Sequence, residues 1–222
     1  MRVLVTSGAT REPIDAVRFL SNGSTGETGG RIADLLMARG HRVALLHGIG
    51  AMLPSRIRDR ERFSSAADLG KRLRTRLASG RFDAVIMAAA VADYRPAREA
   101  RGKRSSERAA LTLRLVRIPK LLPRLKCWSP RPLLVIGFKL TAGADAASRT
   151  RAVDAQFRAG GVDGVVHNDL EQRRSGGAPE YRVFRSSGGK PQRMLGTPAL
   201  AGALVKILAE LSPHARRRRP NP

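Results

Sequence analysis

A single cysteine, Cys127, stands among the 222 residues of this chain. One thiol excludes an internal disulfide framework and any multi-cysteine zinc site. Beside Trp128 it reads as a small packing residue rather than a reactive group. Aromatic residues are scarce at 4%, and neither a zinc-finger spacing nor an RNP pattern appears. A reader of nucleic acid that stacks bases on rings is therefore disfavoured. Long apolar runs are missing too. The longest, VIMAAAVA at 85 to 92, falls far short of the roughly 18 residues that span a bilayer. The opening MRVLVTSGATREP meets charge after a short apolar stretch, as a buried strand does and a secretory signal does not. A soluble, cytoplasmic protein is expected.

Acidic residues are the other shortage: 18 Asp and Glu face 42 Lys and Arg, a net charge of +24. Such an excess favours anionic partners. The basic residues are mostly arginines spread through the chain, so a bias toward arginine at solvated positions is preferred over polyanion binding. PHARRRRPNP at the C-terminus reads as part of a disordered basic tail covering 212 to 222. His41, His47, His167 and His214 show no metal-ligand spacing.

What is present is alternation. Apolar strand-like runs at 3–6, 42–48, 62–64, 83–93, 111–116, 132–140, 163–169 and 181–186 are interleaved with helical patterns at 29–40, 66–80, 146–161 and 196–211. In the third helix Ala147, Val153 and Phe157 are expected to face inward. This is the signature of an α/β, Rossmann-like fold with a mainly parallel sheet flanked by helices, expected as one domain over 1 to 211. The run 83–93 is expected to be a fully buried central strand. After it, YRPAREARGKRSSERA at 94 to 109 is charged and aperiodic, a flexible flap or a disordered loop.

Between the first strand and first helix lies SNGSTGETGG, residues 21 to 30. A dinucleotide fingerprint would follow the strand directly, whereas here about twenty residues intervene, so an ordinary dehydrogenase is disfavoured. Glycines that let backbone N–H groups approach an anion, a helix start behind them, and the hydroxyls of Ser24, Thr25 and Thr28 still describe a phosphate cradle. The competing reading is a glycine-rich connection and no more. Asn22 adds an uncharged amide donor or a turn former. Arg11, Asp15 and Arg18 in the preceding insertion either position phosphate or pair with one another.

The succession TSGATREPIDAVRFLSNGSTGETGGRIADLL, AAAVADYRP, GK before LTLRLV and IPKLL, IGFKL and VHND resembles phosphopantothenoylcysteine synthetase (phosphopantothenate-cysteine ligase). In other members this is the C-terminal domain of the DNA/pantothenate metabolism flavoprotein family. The resemblance spans roughly 1 to 210, and the absence of a flavin-dependent decarboxylase half leads to the expectation of a stand-alone ligase. It implies a dimer acting in coenzyme A biosynthesis. Phosphopantothenate is joined to the α-phosphate of CTP or ATP, with Mg²⁺ accompanying the nucleotide, and cysteine then attacks the acyl nucleotidylate. The expected partners are therefore 4′-phosphopantothenate, L-cysteine and a nucleoside triphosphate, with neither a membrane nor nucleic acid.

By the same resemblance, Gly23, Ser24, Thr25, Gly26, Thr28 and Gly29 line the phosphate cradle, and Asn22 matches the asparagine associated with the acyl intermediate. Ala89, Ala90 and Val91 present backbone groups near the base. Asp93, in isolation a strand-end capping residue, joins the nucleotide pocket. Phe138, otherwise a core phenylalanine, becomes a base contact, and Lys139 follows it as a phosphate contact. Lys103 matches the first lysine of the flap motif. Two departures stand out: after Lys103 and Arg104, Ser105 and Ser106 stand where the fused bacterial enzymes have lysines, and Lys120 occupies a position at which many relatives carry an aspartate. An extended Rossmann oxidoreductase, which lacks its YxxxK pair here, and a non-catalytic polyanion binder are the alternatives.

Overall fold

The computed structural model describes residues 1–211 except 104, 106, 108, 175 and 176. The expected tail at 212 to 222, and with it His214, lies outside the described residues, as do Arg104 and Ser106. In chain order the elements are β1 (Arg2–Ser7), β2 (Arg11–Pro13), β3 (Phe19–Ser21), α1 (Glu27–Ala38), β4 (Arg42–Gly48), β5 (Arg60–Phe63), α2 (Ala66–Ala78) and β6 (Ala84–Met87). There follow β7 (Tyr94–Pro96), β8 (Leu115–Arg117), β9 (Leu134–Thr141), α3 (Ala146–Arg158), β10 (Gly164–Asp169), α4 (Leu170–Arg174), β11 (Glu180–Phe184), β12 (Gln192–Leu195) and α5 (Gly196–Leu211).

One eight-stranded sheet runs in the order β12-β11-β10-β9-β6-β1-β4-β5. From β5 to β10 every pairing is parallel, and β11 and β12 close the edge antiparallel. Period-two alternation sends side chains to two covered faces. Val3, Val5, Ile86, Ile136 and Val166 pack beneath α1 and α5, against Ile32, Leu36, Leu200 and Leu204. Leu4, Leu46, Val85 and Val135 face α2, against Leu69, Leu73 and Leu77. Strands buried on both sides explain why these runs look apolar throughout. The chain proceeds outward from β1 to β4 and β5 and then returns to β6 on the other side of β1. The C-terminal ends of β1 and β6 thus flank the switch point where open α/β sheets hold ligands.

Several expectations are corrected. The strand expected at 83–93 ends at Met87, because the Ala89 N–H is taken by the Thr6 hydroxyl at 3.0 Å and Ala90 bridges to Ala9. The following residues leave the sheet as a loop. Helix α1 begins at Glu27, two residues before the expected start, once Gly26 adopts φ +76°. The segment at 94–109 is partly structured: β7 pairs with β8 as an antiparallel ribbon, and Ala97 N–H donates to the Arg114 carbonyl. Ala147 is exposed and Val153 is the buried residue of α3. Cys127 is exposed on a 3₁₀ turn, so it is not a packing residue. Helix α4 and strand β12 were not expected, being too short to show a period.

A Cβ placed on Gly48 would lie 2.4 Å from the Ala9 carbonyl oxygen and 3.0 Å from its nitrogen. Both atoms are backbone and cannot swing aside. Gly48→Ala is expected to destabilise the fold by about 1–3 kcal/mol, the usual cost of overpacking. Urea denaturation checks this, and a change within about 0.5 kcal/mol, the range of an ordinary surface substitution, would refute the crowding.

Candidate active site

The site grows from backbone contacts at the switch point. After β1 the chain turns at Gly8, whose φ of +77° is open to glycine and strained for other residues. The Ala90 N–H donates to the Gly8 carbonyl at 2.8 Å, and the Thr10 N–H donates to the Ala90 carbonyl at 3.2 Å. Two buried threonines complete the clasp: Thr6 accepts from Ala89 N–H and Thr10 from Ala92 N–H, each at 3.0 Å. These threonines were not singled out by sequence reasoning. Their signal was the symmetrical placement of hydroxyls around Gly8 in TSGAT.

The glycine loop packs on this clasp. A Cβ on Gly26 would come within 2.8 Å of the Ala51 Cβ and 3.0 Å of Gly8 nitrogen, and one on Gly29 within 2.7 Å of the Ser7 Cβ and 2.9 Å of the Thr6 carbonyl oxygen. The first turn of α1 is thereby pressed against the end of β1. Met52 N–H holds the loop by donating to the Thr25 carbonyl at 2.8 Å, and Ser24 N–H donates to the Asn22 carbonyl at 2.9 Å. Helices α2 and α3 are capped by Ser65 and Asp145. Among the described residues no side chain caps α1 at its Gly26 N-cap; a 3.4 Å approach of Glu27 N–H to the Thr25 hydroxyl is the nearest substitute. Amides at such an end, with the helix dipole behind them, attract anions. The Ser7 hydroxyl lies buried beneath, without a partner among the described residues.

The expected residues take the following places. Asn22 and Gly23 are exposed at the lip, and the Asn22 side-chain amide has no partner among the described residues. Thr28, in the first turn of α1, meets the Tyr181 hydroxyl at 3.3 Å, which in turn meets Thr197 at 3.4 Å. Ala89 and Ala90 spend their N–H groups on the clasp, leaving the Ala89 carbonyl and the Val91 amide groups. Phe138 packs with the core under α1 and α5. Asp93, which lies beyond the end of β6, is exposed and pairs with Lys120. Lys103 follows Gly102, whose carbonyl accepts from Ala16 N–H at 3.2 Å.

Lys139 stands apart from the cradle. One residue on from Phe138, it points to the α3 face of the sheet, where β-register aligns it with His167 and then Arg182. Arg11 lies over the Phe19 ring at 4.4 Å, and the Asp15 carboxylate accepts Val17 and Arg18 N–H at 2.9 Å while approaching the Arg18 guanidinium at 3.6 Å.

The profile of the DNA/pantothenate metabolism flavoprotein C-terminal domain matches residues 1–197. The chain belongs to this family. Among curated relatives, the coenzyme A biosynthesis bifunctional protein CoaBC of Thermococcus kodakarensis is 35% identical over 170 residues, covering 77% of this chain and 41% of that protein. Its namesake from Mycobacterium bovis is 32% identical over 182 residues, covering 78% and 43%. The chain therefore spans under half the length of these relatives. Among solved structures, the C-terminal domain of CoaBC aligns with a TM-score of 0.73 at 26% identity, over 95% of each chain. The Streptococcus pneumoniae DNA/pantothenate metabolism flavoprotein shares the fold at TM-score 0.83 and 24% identity, over 94% of this chain and 98% of that one. A Cab2 variant in complex with phosphopantothenate-cysteine shares it at 0.75 and 17%, over 97% and 88%.

In this family member a buried polar cluster braces the rim behind the site. The Thr141 hydroxyl donates to Asp169 at 2.5 Å, so His167 Nε2–H donates to Thr141 at 2.8 Å; His167 Nδ1 is buried without a partner among the described residues. Burial, with Arg149 and Arg182 nearby, lowers the His167 pKa to about 4, opposed by Asp169 and assisted by Lys139. Burial pushes the Asp169 carboxyl up, but hydrogen bonds from Thr141, Gly143, Ala144 and Glu171 outweigh it and bring it to about 2. Both groups have folded pKa values below their unfolded ones. Their stabilising contributions are full above those unfolded values and are lost as pH falls, from about 6.5 toward 4 for His167 and from about 4 toward 2 for Asp169. Stability measured by denaturant between pH 7 and pH 4 is expected to drop by about 1–3 kcal/mol through His167. His167→Gln should flatten that slope, and an unchanged slope would exclude the assignment.

Proposed function

We propose that this chain joins 4′-phosphopantothenate to L-cysteine through an acyl nucleotidylate made with CTP or ATP, a step of coenzyme A biosynthesis. The carrying observation is the uncapped amide end of α1, pressed by Gly26 and Gly29 onto the switch point of a sheet whose family is known. Residues 1 to 211 form the ligase unit in this reading, working in the cytoplasm, with the basic tail outside it.

The chemistry follows from what the residues offer. A carboxylate oxygen of the acid attacks the α-phosphorus, the bond to the β-phosphate breaks and pyrophosphate leaves. The cysteine amine then attacks the acyl carbon, the nucleoside monophosphate departs and the amine loses its proton. Such a sequence needs anions held in line more than it needs an acid or base. The first-turn amides of α1, with Ser24, Thr25 and Thr28, hold phosphate oxygens. Asn22, neutral and exposed, donates to the acyl or phosphoryl oxygen as charge develops. Val91, the Ala89 carbonyl, Asp93 and Phe138 surround the base, and Lys103 supplies a cation from the flap. Lys139, on the α3 face, is left outside this set. Among the described residues no cluster of acidic, histidine or cysteine side chains could hold a metal. In this reading Mg²⁺ is a companion held by the nucleotide's own oxygens, where it would neutralise phosphate charge.

A homodimer is part of the proposal. Val17, Phe19, Tyr94 and Leu115 are exposed on two arms, β2–β3 and β7–β8, which are tied together where Ala100 N–H donates to the Ile14 carbonyl at 3.0 Å. An apolar surface shared by adjoining arms suits a self-complementary contact. Sedimentation analysis is expected to give a dimer that Val17→Asp weakens; a monomeric wild type would exclude it.

Pyrophosphate release is expected to require both a nucleoside triphosphate and 4′-phosphopantothenate, and product formation to require cysteine. Asn22→Ala should lower turnover by about 100-fold, the loss of one preorganised donor, and Lys103→Ala should lower it as well. If none of the four nucleoside triphosphates yields pyrophosphate, the ligase reading fails. Near-wild-type turnover in Lys103→Ala would remove only that residue.

A further inference from the structure

Asp93 and Lys120 meet at the two feet of the β7–β8 ribbon. Their position in the crevice follows from the contacts already traced: Gly26 abuts Gly8, Gly8 binds Ala90, and Ala92 binds Thr10 immediately before Asp93. The backbone around Lys120 is held on both sides. Ile118 N–H donates to the Asp93 carbonyl at 2.9 Å, Pro119 restricts the chain, and Leu121 packs into the α2-side core against Gly70. Its ammonium, in contrast, is open: the Lys120 side chain is 69% exposed and that of Asp93 61%.

An ion pair so exposed contributes little to stability, so the fold gives no reason for a lysine here. A triphosphate carries several charges and more acceptor oxygens than one carboxylate, and it therefore competes well for the same ammonium. We propose that Lys120 is a nucleotide-binding residue, held by Asp93 in the free protein and transferred to the triphosphate when nucleotide enters the crevice. The transfer leaves the Asp93 carboxylate open to donors on the ligand. This inference rests on the ligase reading of the same crevice and adds to it a phosphate contact from the fixed foot of the ribbon.

Calorimetry on the full chain with Mg²⁺ and CTP, ATP, CMP or AMP tests the assignment. Lys120→Ala is expected to weaken the preferred triphosphate about tenfold, the worth of one charge-assisted hydrogen bond, while changing its monophosphate less than twofold. Lys120→Arg should recover most of the loss. Lys126→Ala, which removes a lysine paired with Asp163 elsewhere, should match wild type. Equal losses for triphosphate and monophosphate, or no loss for either, would overturn the role of Lys120 and leave the ligase reading standing. Absence of triphosphate binding by the wild type would overturn both.

Discussion

Close backbone packing between the turn after β1, the loop after β6 and the first turn of α1 is the constraint on which the rest of the molecule depends. No side chain larger than hydrogen fits at Gly26 or Gly29 without pushing backbone aside. The hydroxyls of Thr6 and Thr10, by accepting from Ala89 and Ala92, hold the residues that follow Met87 as a fixed loop. The result is a row of amide groups whose positions are set by atoms that cannot rotate away. The proposed reaction, which holds several phosphoryl groups in line, gains from such rigidity, because donors that are already placed need no reorganisation as charge develops.

Around that rigid centre the charges are sorted by sheet face. Phe138, Asn168 and Tyr181 lie on the side of α1, and Lys139, His167, Arg182 and Arg193 fall in register across four adjacent strands on the side of α3. The second row would be self-repelling if all were charged. It is made tolerable by Glu180 and Asp169 and by keeping His167 neutral through burial. Asp169 also ties together the start of the β9–α3 connection and the start of α4. His167 and Asp169 of VHND thus serve the rim from behind, one face away from the proposed phosphates.

The proposed reaction gives meaning to composition that is otherwise puzzling. A chain at +24 with few aromatic rings is poorly suited to reading bases in nucleic acid but well suited to small polyanions. Many of its arginines are nonetheless occupied: Arg72 and Arg76 are bound by Asp59, Glu61 and Asp68 along one flank of α2. Net charge is therefore a poor guide to the site. Individual cations without a structural duty, such as Lys120, are the informative ones.

Local pattern was enough for the α/β class, for β4 and α5 to the residue, and for locating the glycine loop that the proposed function uses. Strand alternation, helical period and glycine placement are properties of adjacent residues, and the ordered motifs carried the family. The end of β6, the short β12 and the exposure of Cys127 were not legible, because each depends on what a distant segment places alongside. Likewise, AAAVAD reads as a continuous buried strand until Thr6, 83 residues away, captures its amide. Phe138 and Lys139 look like one site in the sequence and stand on opposite faces in the fold. Residue types and spacing determined which groups were available for phosphate chemistry; only the tertiary structure decided which of them share a crevice, since a strand turns successive side chains away from each other.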